Sequence, residues 1–551
     1  MYIKKLSMKN FKSFRNQQIE FSRGINYLVG NNNSGKSTVI QAIEFVGGTF
    51  TDASSFRTIS GDGNENSNED EDGYVELTLA DTNLASIIDA STVDQKKAKT
   101  LKEECVYQGD NGEWYLTVRR SLAEPKKIQI LDKEKREFSN RTGIDAPFKA
   151  LFSPTVFHAT DTPDAVMDFG ATKILGKLIK AKTSDLTDTD EWNQFMDSYK
   201  KVFADDGKYA DLLRDINSSI SDKTTQQFGP NIKVSIAFDA PEQSLFGKMG
   251  RTVVDDGIET DLYQKGSGLQ RAVAFAAIRV YAEQQKASAN TASDSRESAG
   301  TLPGASLFLC VDEPEIWMHP KAQQALAQAL TDISQNEQVI VSTHSPYILQ
   351  AFNRNVSGNP ESLFIFNDDK TSENRIMKST DFGCVHPNRP SLAEITYEAF
   401  QIPTPEFHSE LYGMLQRKIQ NSHIFSNGNE SNETLKKVDD VLRDTRIALS
   451  GQEKKLYSRF NSAGRKNGEW TRCVIARETL PTYIRNIIDH PESINVKEEA
   501  IKYFTDNPSQ DVDIEILKNL RNEYTYEQLQ ESIKILLRVL HRMDELEQID
   551  K

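Results

Sequence analysis

The chain has 551 residues, of which 37% are hydrophobic and 27% are charged, and its formal net charge is −15. This length predicts two or three domains, and the acidic balance argues against constitutive coating of nucleic acid, while leaving room for a local basic groove. The apolar runs are no longer than a strand and the four cysteines are scattered, so we expect no membrane-spanning helix, no disulfide framework or zinc site and a cytoplasmic location.

The first 50 residues predict a strand, a hairpin-like return at 14–21, a short buried strand at 25–29, a glycine loop and a helix. The loop, from Gly30 to Thr38, fits the pattern G-x-x-x-x-G-K-[ST]. After it, apolar residues from Val39 to Phe45 recur at helical spacing. A chance glycine turn is the alternative interpretation, and the flanking strand and helix disfavour it.

This loop predicts a site for a nucleoside triphosphate. In such a strand–loop–helix unit, backbone N–H groups and the helix N-terminus face the phosphates. We expect Lys36 to reach the outer phosphates and the Ser37 hydroxyl to bind Mg²⁺. The residues predicted to surround the nucleotide are Gly30, Asn31, Asn32, Asn33, Ser34, Gly35, Lys36, Ser37 and Thr38.

Residues 60–238 predict a β-rich flank and a helical insertion. The acidic stretch 60–73 has no apolar side chain and predicts a mobile surface loop. Strands are predicted at 74–79, 114–119, 127–131, 155–159 and 232–238. Within the helical insertion, at about 165–225, one face carries aromatic and methionine side chains that we expect in the core: Trp192, Phe195, Met196, Tyr199 and Phe203.

A second set of motifs begins after the segment 286–304, whose Ala, Ser, Thr and Gly content predicts a flexible insertion. Residues 307–313 form an apolar strand that ends in two carboxylates. We expect Asp312 to hold Mg²⁺, and Glu313 to orient an attacking water or accept its proton. Two surface acids after a strand are the simpler interpretation, which the upstream glycine loop disfavours.

Two further motifs carry groups that can meet phosphate. His344 follows a strand predicted at 338–342 and could hydrogen-bond a γ-phosphate, although a histidine there can also be structural. The segment 265–271 places Ser267, Gly268 and Gln270 before an apolar helix at 272–282. A glycine-flanked serine at a helix start is an anion site, but taken alone this motif is the least specific of the set.

The order of these motifs resembles that of the ABC-type ATPases of the SMC, RecF and OLD group. The resemblance assigns 30–38 to the Walker A loop, 266–270 to a diverged signature motif, Asp312 and Glu313 to Walker B and its glutamate, 315–320 to the D-loop, and His344 to the switch histidine. It covers about residues 1–350 and implies an α/β head with a mixed sheet, a β-rich flank and a helical subdomain.

The same resemblance implies ATP and Mg²⁺ as cofactors. It also implies a head-to-tail dimer, or a higher oligomer, in which Ser267 of one head caps the ATP held by Lys36 of the other. A Q-loop glutamine is not evident, and His158 or Asp161 are the candidates to replace it.

From residue 392 onward the sequence predicts helices, and we place a domain boundary near residue 380. The predicted domains are thus a head over 1–380 and an all-α C-terminal domain over 381–551. Helices are predicted at 515–520 and 529–543, the second with a stripe of Leu529, Ile533, Leu536, Leu540 and Met543. A long coiled coil, as in SMC and Rad50 proteins, is absent. A Toprim nuclease is not expected, because Asp511 and Asp513 precede a helix instead of closing a strand.

Arg485 and His490 form the most informative pair of the C-terminal region. They lie five residues apart, near a helix end closed by Pro491. A cation beside an imidazole can cleave RNA without a metal, through proton transfer by His490 and charge stabilisation by Arg485. The pattern resembles the R-polar-x3-H motif of HEPN ribonucleases, which are small helical bundles. A solvated or capping pair without a catalytic role is the alternative.

The C-terminal region also resembles that of bacterial anti-phage defence ATPases, at 389–394 and 406–415. This resemblance implies an ATPase of a defence or toxin–antitoxin system whose head dimerisation controls a nuclease. That nuclease is either a partner, such as the HNH nuclease of Septu-type pairs, or the tail itself. Such ATPases also accompany retron reverse transcriptases and their RNA. The alternatives are a RecF-like repair ATPase that clamps DNA and a scaffold that uses ATP only to assemble.

Overall fold

The computed structural model describes most of the chain and divides it into two compact units, 1–376 and 377–551. The residues it describes are 1–48, 73–91, 95–109, 112–140, 145–158, 189–203, 214, 218, 252–277, 280, 308–316, 318–352, 360–367, 376–382, 389–422, 434–444, 446–447, 455–471, 474–491, 493–508, 512–520 and 522–549. The predicted strand 232–238, the segment 286–304 and all of 60–73 except Gly73 lie outside these residues.

An antiparallel sheet forms one layer of the first unit, in the order β2-β1-β4-β6-β7-β8 with β5 beside β6. Its strands are β1 (Tyr2–Phe11), β2 (Phe14–Glu20), β4 (Tyr74–Asp81), β5 (Tyr107–Gln108), β6 (Trp114–Ser121), β7 (Gln129–Leu131) and β8 (Phe138–Ser139). In β4, Val75, Leu77 and Leu79 are buried and alternate with partly exposed residues, as expected for a sheet with one face in the core. The β-rich flank is therefore confirmed.

A second sheet, in the order β15-β14-β3-β13-β12-β9, carries the nucleotide motifs. Its strands are β3 (Ile25–Gly30), β9 (Thr155–Phe157), β12 (Phe308–Asp312), β13 (Gln338–Thr343), β14 (Glu361–Phe366) and β15 (Ile376–Lys378). The pairs β14–β3, β3–β13, β13–β12 and β12–β9 are parallel. Because parallel strands are covered on both faces, they read as continuous apolar runs. Their carboxyl ends meet at one edge, where Val29 is opposite Thr343 and Asp312 is opposite Ser342.

Helix α1 (Lys36–Gly47) lies between the two sheets and contributes Val39, Ile40, Ile43 and Phe45 to their common core. The rings of Phe45 and Phe11 are 5.7 Å apart. The other helices of this unit are α2 (Leu84–Ser91), α3 (Gln95–Thr100), α4 (Asp145–Leu151), α5 (Asp190–Phe203), α6 (267–277), α7 (Pro320–Ser334) and α8 (Pro346–Leu349). A π-helical turn at Leu101–Cys105 follows α3. Before α6, the short strands β10 (Val253–Asp255) and β11 (Glu259–Asp261) pair antiparallel.

Helix α5 forms as predicted, but its aromatic stripe does not lie in the core. Trp192, Met196 and Tyr199 are half-buried and Phe195 is 41% exposed. The rings of Trp192 and Phe195 are 5.7 Å apart, so the residues do share one face. The expectation of a core face was wrong because helical spacing identifies which residues share a face, not what covers that face.

The second unit is built on helices α9 (Leu392–Phe400), α10 (Pro405–Asn421), α11 (Thr434–Arg443), α12 (Leu480–Asp489), α13 (Ser493–Asp506), α14 (Ile514–Asn519) and α15 (Tyr526–Ile549). The predicted stripe of α15, from Leu529 to Met543, is buried against α10 and α12. Asp513 caps α14 by accepting hydrogen bonds from two N–H groups, which confirms that it precedes a helix. No helix in the described part of the chain is both long and apolar enough to cross a membrane.

Between α11 and α12 the second unit contains four short strands that the helical prediction does not include. They are β16 (Leu456–Phe460), β17 (Arg465–Lys466), β18 (Glu469–Trp470) and β19 (Ile475–Thr479). β16 pairs with β19 and β17 with β18, both antiparallel, so the chain runs out and back as one bent hairpin, the 456–479 hairpin. Its reversal is at Asn467 and Gly468, whose φ angles are 51° and 86°. Two positive φ angles match a two-residue type I′ turn.

Candidate nucleotide site

The loop between β3 and α1 has a backbone that requires glycine. Gly30 and Gly35 have φ angles of 153° and 111°, and Asn33 has 63°. A Cβ atom on Gly35 would lie 2.6 Å from Cζ of Phe14, so the ring of β2 closes the space beside the loop. The absence of that Cβ lets the chain turn tightly into the N-terminus of α1, where backbone N–H groups favour an anion.

Lys36 and Ser37 begin α1 directly after this turn. The Lys36 side chain is buried, and its Nζ donates to the carbonyl oxygens of Gly30 at 3.0 Å and Asn31 at 2.8 Å. The ammonium therefore lies over the loop, where phosphate oxygens could replace the carbonyls as acceptors. Ser37 Oγ donates to Oδ1 of Asp312 at 3.0 Å.

Asp312 ends β12 and is held by the neighbouring strand. Its Oδ1 also accepts a hydrogen bond from the Ser342 hydroxyl, and Ser342 is its register partner on β13. Mg²⁺ is coordinated by oxygen ligands and usually retains substrate phosphates and water among them. A hydroxyl and a carboxylate in hydrogen-bond contact beside the glycine loop fit that donor set, so Ser37 and Asp312 suit the predicted ion.

Glu313 follows Asp312 with an unusual backbone, its φ angle being 45°. Its N–H donates to the carbonyl oxygen of Ser342 at 3.1 Å, which fixes this turn to β13. Its Oε1 lies 3.1 Å from Nε2 of His344. Burial and the charge of Lys36 lower the pKa of His344, while Glu313 acts in the opposite direction. A neutral imidazole can then orient the carboxylate.

Glu315 is a functional candidate that sequence reasoning missed, because it was placed only at the start of the 315–320 segment. Its Oε1 accepts hydrogen bonds from Thr343 Oγ1 at 2.9 Å and from the N–H of His344 at 2.6 Å. Burial raises the pKa of this carboxyl. The only signal in the sequence was a third acid in the run Asp-Glu-Pro-Glu. Glu315 fixes the backbone that presents the His344 ring to Glu313.

The segment around Ser267 is ordered by its own side chains. Ser267 begins α6 and is exposed, as is Gly266 before it. Gln270 Nε2 donates to the carbonyl oxygens of Lys265 at 2.7 Å and Tyr263 at 3.1 Å. These hydrogen bonds shape the turn and do not reach the 30–38 loop of the same chain. Gly268 lies in the first turn of the helix.

His158, one of the two Q-loop candidates, lies at the carboxyl end of β9, beside β12. Its Nε2 is 3.1 Å from Oε1 of Glu44, which lies within α1. The structure thus connects His158 to the helix that carries Lys36 and Ser37. The other candidate, Asp161, is outside the described residues.

In the second unit, Arg485 contacts two residues of its own helix and one aromatic ring. Its Nη2 forms an ion pair with Asp489 at 2.7 Å, its Nη1 donates to Oδ1 of Asn486 at 2.8 Å, and its guanidinium lies 6.0 Å from the Tyr412 ring. His490 caps the end of α12 and is exposed. Residues five positions apart do not face each other on a helix. The partner of Arg485 within α12 is instead Asp489, one helical turn later.

Curated relatives match parts of the chain. The Old nuclease of Escherichia phage P2 is 26% identical over 368 residues, which are 63% of this chain and 57% of that protein. The chain therefore spans little more than half of that relative's length. A RecF replication and repair protein of Pasteurella multocida is 42% identical over 62 residues, 11% of this chain and 17% of that protein.

Solved structures of SMC heads are similar as well. An SMC head bound to the C-terminal winged-helix domain of ScpA is 16% identical, with a TM-score of 0.39, and the match covers 69% of this chain and 98% of that one. The SMC head of Thermotoga maritima is also 16% identical, with a TM-score of 0.28, and covers 66% and 95%.

A family model described as an AAA ATPase domain matches residues 1–349. This match takes in the glycine loop, both carboxylates at the end of β12, and His344. The chain belongs to this family of AAA ATPase domains, and the matched residues lie in its first unit.

Proposed function

We propose that the chain is the ATP-hydrolysing component of a bacterial antiviral defence or toxin–antitoxin system, and that ATP-dependent dimerisation of its head controls a nuclease. The observation that supports hydrolysis best is the contact between Glu313 and His344 beside Lys36, Ser37 and Asp312. A carboxylate held by an imidazole at the edge of a phosphate loop can orient water.

Each of these residues has a distinct part in turnover. ATP with Mg²⁺ supplies a γ-phosphoryl group that can pass to water once its charge is neutralised. Lys36 would exchange the loop carbonyls for phosphate oxygens, and Ser37 and Asp312 would hold the ion. Glu313 orients the water, while His344 fixes the Glu313 carboxylate through the contact at 3.1 Å.

Dimerisation would bring Ser267 to a second head. Ser267 is exposed at the start of α6, which suits contact with a nucleotide held by another copy. On the same helix, Arg271 Nη1 is 3.5 Å from the carbonyl oxygen of Pro314, between Glu313 and Glu315. A shift of α6 on dimerisation would therefore reach the residues that orient water.

For the nuclease, we favour a separate partner such as an HNH nuclease, with nucleic acid as the target. The local engagement of Arg485 by Asp489, Asn486 and Tyr412 suits a structural role. A metal-independent ribonuclease in a HEPN-like tail, using Arg485 and His490, is the alternative effector, and the exposure of His490 favours it. A reverse transcriptase and its RNA are further partners that this family of systems implies.

A RecF-like repair ATPase that clamps DNA is the second candidate function. The similarity to RecF proteins favours it, although that similarity covers 11% of this chain for the Pasteurella protein. If the chain acts in DNA repair, cells that lack it should be sensitive to DNA damage. If it acts in defence, such cells should lose resistance to phage.

Growth arrest on expression, with and without the neighbouring genes, tests the proposal. We expect arrest to require a neighbouring nuclease gene, to be lost in Glu313→Gln, and to be unchanged in His490→Ala. Arrest by this chain alone that His490→Ala abolishes would place the nuclease in the tail instead. Arrest that persists in both Lys36→Ala and Glu313→Gln would overturn control by ATP.

A further inference from the structure

The 456–479 hairpin is a basic element in an acidic chain. Residues 456–479 include five lysines or arginines and two acids, while the whole chain has a net charge of −15. Lys455, Arg465, Lys466 and Arg477 are exposed. Positive charge concentrated on one element of an otherwise acidic protein marks a surface for a polyanion.

The end of this hairpin is open. Residues 465–469 are all exposed, and a Cβ atom on Gly468 would meet nothing within 4 Å. The type I′ turn at Asn467 and Gly468 allows Arg465 and Lys466 to lie on a strand that reverses within two residues. A narrow two-stranded ribbon of this kind can enter the major groove of a duplex.

The base of the hairpin is fixed in a small core. Phe460 and Trp470 are buried with their rings 5.8 Å apart, next to Phe504 and Leu517. The Arg465 guanidinium lies 5.6 Å from the Trp470 ring. An element anchored in this way presents its charges with little loss of conformational entropy on binding.

The cations of the hairpin fall into two groups. Arg459 is buried and paired with Glu478 at 3.2 Å, and Arg465 pairs with Glu499 at 3.1 Å. Lys466 and Arg477 are exposed, and within the described part of the chain neither has a carboxylate within the 4.0 Å of an ion pair. These two exposed charges are therefore accessible to an anionic ligand.

We propose that the 456–479 hairpin binds the phosphodiester backbone of a nucleic acid, with Lys466 and Arg477 as phosphate contacts. Arg477 is opposite Ser458, and the eight residue-to-residue steps from Ser458 to Lys466 extend over at most roughly 26 Å. The two side chains can therefore span at most about seven base-pair steps of 3.4 Å. This inference rests on the proposed function, in which nucleic acid is the target, and names the surface that binds this nucleic acid.

Fluorescence anisotropy with the full chain tests this proposal. The probes are a 30-base-pair DNA duplex, its single strand and an RNA hairpin of equal length, each titrated at several salt concentrations. The test variant is Lys466→Ala with Arg477→Ala. The control is Lys502→Ala with Lys534→Ala, which removes the same charge from exposed positions on α13 and α15. Lys466→Gln alone serves as a milder second variant.

We expect the test variant to weaken binding by on the order of tenfold and to reduce the slope of log K against log salt by about two. The control should keep the wild-type slope. ATP turnover without nucleic acid should be equal in all variants, which separates this test from that of the ATPase. Equal slopes in the test and control variants, or a wild-type chain that binds none of the three probes at low salt, would overturn the proposal.

Discussion

The backbone N–H of His344 donates a hydrogen bond of 2.6 Å to Oε1 of Glu315, and the His344 ring lies 3.1 Å from Glu313. Glu315 thus accepts a hydrogen bond from the backbone of His344, while Glu313 contacts its ring. Thr343 adds a second hydrogen bond to Glu315 at 2.9 Å. We therefore propose that Glu315 is a positioning residue, which would act on water only through His344 and Glu313.

Glu315→Ala should lower kcat for ATP by about 10- to 100-fold, because small displacements of a reacting group have effects of this size. The affinity for ATP should change little, since Glu315 does not contact the glycine loop in the described structure. Glu315→Gln retains an oxygen acceptor for both hydrogen bonds and should recover most of the rate. Steady-state kinetics of the three proteins measures this, and equal losses in both variants would contradict a positioning role.

Lys36→Ala should raise the Kd for ATP by at least about 100-fold, because it removes charge-assisted hydrogen bonds to the phosphates. Isothermal titration calorimetry with ATP and Mg²⁺ gives the affinity. Lys99→Ala is the matched control, since that lysine is exposed and remote in sequence from the loop. Similar affinities for both variants would remove Lys36 from the site.

Glu313→Gln should bind ATP normally and lower turnover by about 10²- to 10⁴-fold, the range for loss of a general base. A closed dimer should then accumulate with ATP, which light scattering after size-exclusion chromatography detects. Glu124→Gln, at an exposed position, should behave as wild type. Turnover at the wild-type rate in Glu313→Gln would show that another group orients the water.

We expect His408 to make the second unit sensitive to acid. Burial lowers its pKa to about 3, and its Nε2 lies 2.9 Å from the Ser532 hydroxyl. In the unfolded chain its pKa is about 6.5. Below that value the unfolded state binds a proton that the folded state excludes, so stability decreases as pH falls from about 6.5 towards 3.

His408→Leu should therefore lose less stability between pH 7.5 and pH 5 than wild type. The urea midpoint of helices Pro405–Asn421 and Tyr526–Ile549, followed by hydrogen–deuterium exchange at both pH values, measures the difference. His541→Leu is the control, because His541 is exposed at the side chain. The same pH dependence in His408→Leu and in wild type would exclude His408 as its source.

The first unit could be predicted because its motifs are local in sequence and come with their own elements. The glycine loop needs a strand before it and a helix after it, and both are visible as periodic apolar residues. Glu315 could not be identified in this way. Its role depends on Thr343 and His344, which lie 28 and 29 residues later on another strand.

The second unit shows where periodicity fails. The stripe of helix Tyr526–Ile549 has five buried members at helical spacing, and its prediction held. The strands β17 and β18 have two residues each, too few to show alternation, and only the Asn-Gly pair signals their turn. The spacing of Arg485 and His490 predicted that these two residues act as a pair. In the helix, the neighbour of Arg485 is Asp489, four residues further on.

Glu313 also has a consequence for laboratory evolution of this protein. A left-handed backbone costs a residue with a Cβ about 1 kcal/mol relative to glycine, and Glu313 has a φ angle of 45°. Glycine or asparagine at this position would relieve that cost while removing the carboxylate. With Glu313 in its proposed role, a screen for heat resistance alone would enrich inactive proteins changed at 313, so activity must be selected together with stability.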